Sequence, residues 1–82
     1  MATDRERQIA KEKLEKFLTL AKSKNYSMSM IKAACIIAGS EQMYDNFGDY
    51  SDALDKCCEL CEKYDDAGQM LEELLRLAGE DY

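Results

Sequence analysis

From Ser51 to Ala78 the chain holds one heptad phase with no charged residue in its apolar rows. With Leu54 as an a position, the a and d rows run Leu54, Cys57, Cys61, Tyr64, Gly68, Leu71, Leu75 and Ala78. The g row adds Ala53, Leu60, Ala67 and Leu74. A sustained period near 3.5 with a third apolar row describes a helix with a wide buried face, as in a bundle rather than a two-stranded seam. Residues 65–69 contain material for a break, with Asp66 as a cap and Gln69 at the third helical position. A break normally resets the apolar phase, and here the phase is kept. The pattern therefore predicts one helix over residues 51–78, ~42 Å long. Such a helix overhangs a first helix of ~30 Å and leaves Leu71, Leu74, Leu75 and Leu77 to be covered. A second copy of the chain is the simplest cover, so a homodimer is expected.

The remaining composition agrees with helices. Proline and tryptophan are absent from the 82 residues, and β-branched residues are few. The expected fold is all-α: a single domain over residues 1–82, a small helical bundle of three to four helices with a long C-terminal helix. A chain of this size buries little more than ~60% of its unfolded surface, which leaves a marginal core. No apolar run approaches the ~20 residues of a membrane span, and no apolar region follows the first residues as in a secretory signal. Four cysteines without such a signal suggest free thiols in a reducing cytoplasm.

In chain order, Thr3-Asp4-Arg5-Glu6 has capping-box form and predicts a helix to about Ser23. Ala10, Leu14, Phe17, Leu18 and Ala21 form its buried stripe, widened by Ile9 and Leu20. Residues 24–27 are a polar break, after which Ser27 or Ser29 can cap a second helix. Met30, Ile31, Ala33, Ala34, Cys35, Ile36, Ile37 and Ala38 are apolar on nearly every side, which predicts a central, sandwiched helix. Gly39 and Ser40 favour an end and a new cap, giving a short helix over 41–47. The alternative is one helix over 28–47 that tolerates Gly39. Residues 48–51 form the next turn, with Asp49 or Ser51 as cap.

The chemistry-bearing residues exclude more than they assign. With no histidine, Ser-His and Cys-His nucleophile pairs are unavailable, and the four glycines build no phosphate-cradling loop. Carboxylates lie in surface rows, not as a pair in an apolar pocket. Cys57-Cys58-Glu59-Leu60-Cys61 contains a C-x-x-C, and Cys35 makes four thiols. Cys57 and Cys61 fall on the buried stripe in mid-helix, away from the helix N-terminus that a redox thiol uses. Buried packing is thus favoured over zinc, and neither metal nor cofactor is expected. Asp45-Asn46-Phe47-Gly48-Asp49 resembles a calcium loop faintly, but it lacks the third-position ligand and the glutamate at the twelfth. No enzyme is predicted.

Charge is the informative feature. The net charge is −6, and it is polarised. Up to Lys32 there are eight Lys or Arg against four Asp or Glu, and from Ala33 onward three against thirteen. Asp52, Asp55, Glu59, Glu62, Asp66 and Glu73 take positions f, b, f, b, f and f, opposite the apolar rows. Asp45 and Asp49 extend the series toward the N-terminus. Such regularly spaced negative charge resembles a nucleic-acid backbone to a basic groove and would steer the molecule there. A plain solvated outer face is the competing reading, although ordinary outer faces mix signs. Tyr44, Phe47 and Tyr50, each three residues from the next, suit either interface anchors or a plug for the end of the bundle.

The expected function is therefore non-enzymatic protein binding. Its sharper form is an acidic inhibitor or regulator that occupies the basic nucleic-acid site of a partner enzyme, as anti-CRISPR and anti-restriction proteins of phages do. Asp45, Asp49, Asp52, Asp55, Glu59, Glu62 and Asp66 would act through charge, with Tyr44, Phe47 and Tyr50 as anchors. Direct nucleic-acid binding through a helix-turn-helix at 28–47 is disfavoured, because residues 41–47 carry two acids and no base. Two alternatives remain: a nucleic-acid-binding regulator using Arg5, Arg7, Lys11, Lys13 and Lys16 of the first helix, and a self-assembling structural protein.

Overall fold

The computed structural model describes residues 3–79. Each helix starts where a short polar side chain can satisfy an otherwise orphaned amide. Helix α1 spans Asp4–Ser23, and its cap Thr3 accepts from the Glu6 amide at 3.1 Å. Lys24 caps its end, and the chain turns away at Asn25, whose φ of +62° is a left-handed conformation that asparagine tolerates. Helix α2 spans Met28–Ala38 behind the cap Ser27, and α3 spans Glu41–Phe47 behind Ser40. Gly48, with φ +91°, reverses the chain, and Asp49 caps α4, which spans Tyr50–Lys63. Helix α5 spans Ala67–Leu77, with Asp66 accepting from the Gly68 amide at 3.0 Å.

The long C-terminal helix is thus two helices, and there are five helices among the described residues rather than three or four. Tyr64 and Asp66 adopt extended backbone, with ψ of 125° and 120°. Tertiary partners hold the break open. The Tyr26 phenol donates to the Tyr64 carbonyl. Lys24 donates to the Glu62 carbonyl at 2.9 Å and pairs with Asp65 at 3.0 Å. Carbonyls that lose helical partners at the α4 terminus are thereby satisfied by side chains from the end of α1 and the following turn.

The apolar phase does slip at the break. In α4 the buried residues are Ala53, Leu54, Cys57, Cys58, Leu60 and Cys61. In α5 the buried residues are Met70 and Leu74, followed by Ala78 at its cap, with Ala67, Leu71 and Leu77 half-buried beside them. Met70 lies in the c row, outside the stripe read from the sequence, yet it has no exposed surface. A stripe three positions wide in seven is broad enough to absorb a shift of about one residue, which is why the rows look continuous.

Helix α4, not α2, is the hub: it packs against each of the other four helices, most extensively against α1. The molecule measures 34 × 29 × 19 Å, and the shortest extent accommodates about two helix diameters at ~10 Å each. In such a thin body α2 has only one covered side. Ile31, Ala34 and Ala38 face α4 and α5 as buried residues, whereas Ile36 is 74% exposed and Met28 50%. Sandwiching of α2 does not occur. Helix α5 folds back on α2 and α4, so Leu74 is buried and Leu71, Leu75 and Leu77 are half-buried within one chain. The overhang that called for a second copy is absent. In α1, Phe17 and Ala21 are buried as expected, while Ile9 lies exposed at the edge. No described helix is long and apolar enough to cross a membrane.

Candidate functional site

The acidic series divides into three parts once folded. At its head, Asp45 lies exposed on α3, Asp49 caps α4 by accepting from the Asp52 amide at 2.8 Å, and Asp52 is exposed on the first turn of α4. In the middle, charge is matched within the chain. Lys13 of α1 reaches Asp55 at 2.6 Å, and Lys56 reaches Glu59 at 3.1 Å. The Lys13 ammonium is held above its ordinary range, first by the hydrogen bond to Asp55 and then, against some desolvation, by the charges of Asp55, Asp52 and Asp49. At the tail, Glu62 is exposed and Asp66 is spent as the α5 cap. Among the described residues, the carboxylates of Asp45, Asp52 and Glu62 enter no ion pair.

The close packing of α1 on α4 gives a physical reason for the charge polarity of the chain. The basic first helix lies beside the acidic fourth, and Lys13 and Lys24 are drawn to acidic partners across the fold. Exposed ion pairs of this kind contribute only about 0–1 kcal/mol each, so they orient the helices more than they stabilise them.

The aromatic trio separates by role. Phe47 is half-buried and packs against the core. Tyr50 is half-buried, and burial, then the nearby thiols of Cys35 and Cys57 and the phenol of Tyr44, raises its phenol above the ordinary range. Tyr44 is 41% exposed. Tyr44 and Tyr50 meet Asp49 in a cleft of about 370 Å³ between the start of α1 and the α3–α4 turn. Helix α1 contributes Glu6, Arg7 and Ala10 to its other wall. Three of the expected site residues are therefore brought together, whereas Asp55, Glu59, Glu62 and Asp66 lie farther along α4 and α5. The contribution of α1 was missed by the sequence reading. Glu6 could be recognised only as a helix-capping residue, and no local pattern places the first turn of α1 against Tyr44.

The other candidate chemistries are occupied by structure. Asn46 donates its amide to the Leu77 carbonyl at 2.6 Å, tying α3 to the end of α5, while Asp49 is a cap, so two of the three oxygen-bearing side chains of the faint calcium motif have structural partners. Cys57 and Cys61 have no exposed surface. Burial pushes the Cys57 thiol up to about 12, and Cys58 places its sulfur 3.8 Å from the Lys13 carbonyl. Burial likewise raises Cys35, Cys58 and Cys61. Reactive or metal-binding thiols require the opposite shift. Among the described residues, no three Cys, Asp or Glu side chains converge as a metal site. A second cleft, of about 350 Å³, lies near the α4–α5 break, bounded by Tyr64, Gln69, Glu72 and the Glu73–Arg76 ion pair.

Comparisons with protein-family models, curated proteins and solved structures give no match to this chain.

Proposed function

We propose that this chain is a non-enzymatic protein-binding module whose acidic α3–α4 face docks on a basic surface. In its sharper form it is a small inhibitor or regulator that enters the basic nucleic-acid site of a partner enzyme, the strategy of anti-CRISPR and anti-restriction proteins. One observation carries the reading: Tyr44, Asp49 and Tyr50 line one cleft, and exposed Asp45 and Asp52 enter no ion pair among the described residues, Asp45 following Tyr44 in the chain and Asp52 donating its backbone amide to Asp49. Charge provides steering toward a basic groove, and an exposed tyrosine provides the amphipathic contact that interfaces favour.

The neutralised middle of the row refines the proposal. Asp55 and Glu59 already have lysine partners, so the binding charge is concentrated at the head of the face. The same pairing takes one of the five basic residues, Lys13, from the alternative of nucleic-acid binding by α1. A second copy of the chain stays in the proposal for a different reason from the overhang. The outer side of α2, with Ile36 and Met28, is the most exposed apolar surface described.

Affinity capture from a lysate of the source cells, with nuclease treatment and with or without excess DNA and RNA oligonucleotides, tests these readings. Recovery of one nucleic-acid-handling protein that oligonucleotide displaces is the expected result. A partner indifferent to oligonucleotide would contradict the nucleic-acid-site form. Recovery of copies of the chain alone would favour self-assembly through α2.

A further inference from the structure

We infer that the cleft between α1 and the α3–α4 turn receives an arginine side chain from the partner, held between the Tyr44 ring and the carboxylates of Glu6 and Asp49. This inference rests on the docking reading above and names the chemistry that the face recognises. The volume of about 370 Å³ falls within the range of sites that enclose small groups, ~300–1,000 Å³. Its charge selects the sign of the occupant. Glu6 and Asp49 face one cation, Arg7, and the Asp52 carboxylate stands 3.6 Å from where a side chain on Gly48 would begin. An anion in the cleft would meet the Glu6 and Asp49 carboxylates against the single guanidinium of Arg7, which disfavours it despite the helix dipole of α4.

The aromatic walls select the shape. A guanidinium is planar, stacks on an aromatic face and bonds a carboxylate through two parallel N–H groups. Tyr44 is the exposed ring available for stacking, and half-buried Tyr50 lines the cleft beside it. Asp49 uses Oδ1 to hold the Asp52 amide. Its carboxylate is therefore already oriented when the occupant arrives, which lowers the ordering cost of binding. Arg7 acts as a like-charged competitor on the rim, a role that gives the inference an unusual signature in mutation.

The test is a chemical-shift titration of the full chain with acetyl-Gly-Arg-Gly-amide, alongside the same peptide carrying citrulline, which keeps the shape of arginine and removes its charge. The expected result is saturable shifts confined to Glu6, Arg7, Ala10, Tyr44 and 48–51, and little response to citrulline. Tyr44→Ala and Asp49→Asn should each weaken binding about fivefold to tenfold. Asparagine preserves the cap, and unchanged shifts elsewhere in each variant confirm the fold. Arg7→Ala should strengthen binding. Equal binding of citrulline, shifts spread evenly over all surface carboxylates, or weaker binding by Arg7→Ala would overturn the inference. If the peptide fails to seat while charge reversal on α3 and α4 still abolishes capture, the inference falls and the docking reading stands. If it seats while capture survives that reversal, the arginine site stands and the docking reading falls.

Discussion

Cys57 sits at the centre of α4 with no exposed surface, and its thiol is pushed up to about 12 by burial. In the unfolded chain a cysteine ionises near pH ~8.5. Between those values the folded state keeps a proton that the unfolded state has lost, so stability falls as pH rises through that window. Tyr26 acts in the same direction, since burial raises its phenol to about 12 from an ordinary value near ~10. The stabilisation is complete below pH ~8.5 and is lost progressively toward pH ~12. We predict that the urea midpoint declines steeply from pH 9 upward. Cys57→Ala should lower the midpoint at pH 8, by opening a small cavity, while making the alkaline decline shallower by up to one proton. An unchanged slope would contradict the assignment. The burial of this thiol was legible from its place on the apolar rows, because a mid-helix cysteine at a d position has few other roles. The burial of Cys58 was not, since it lies in the e row and is covered through the closeness of α1, a long-range effect.

At the scale of elements, caps were readable and phase was not. Thr3, Ser27, Ser40 and Asp49 each start a helix where the sequence suggested a cap, because capping depends on a few neighbouring atoms. The break between α4 and α5 depends instead on Lys24 and Tyr26, about forty residues away in sequence, and no heptad count includes them. Asp66 was the local clue, outweighed by an apolar stripe too wide to reveal a slip. The two descriptions of α5 make opposite predictions. With the buried face on Met70 and Leu74, Met70→Ala should cost about 2–5 kcal/mol, and Leu75→Ala, which removes a half-buried side chain, should cost less than half as much. Denaturant unfolding of the two variants measures both. A larger loss at Leu75 would restore the single long helix. Helix α2 teaches a related lesson: an all-round apolar sequence predicts sandwiching only if enough neighbours exist to surround it, and in a body two helices thick they do not.

For the whole molecule, the question is what remains of the charge asymmetry after folding. The basic α1 lies along the acidic α4 and matches Asp55 through Lys13, while Lys56 of α4 matches Glu59, an arrangement that counting charges along the chain did not reveal. Of the acidic row, Asp45, Asp52 and Glu62 stay exposed, with no role as a cap and no ion pair among the described residues. Part of the candidate site was therefore legible: Tyr44, Asp49 and Tyr50 do meet. Its α1 wall was not legible, because the placing of Glu6 and Arg7 across the cleft from that turn is a tertiary fact with no local signature. On the proposed function, this residual acidic face binds a basic surface. Asp45→Lys, Asp52→Lys and Glu62→Lys combined test it most directly, since none of the three carboxylates caps a helix or joins an ion pair among the described residues. Capture of the partner by this variant should be lost, with far-UV circular dichroism unchanged and the thermal midpoint within a few degrees of wild type. Undiminished capture by the folded variant would contradict the claim and leave the acidic row as a solvated face.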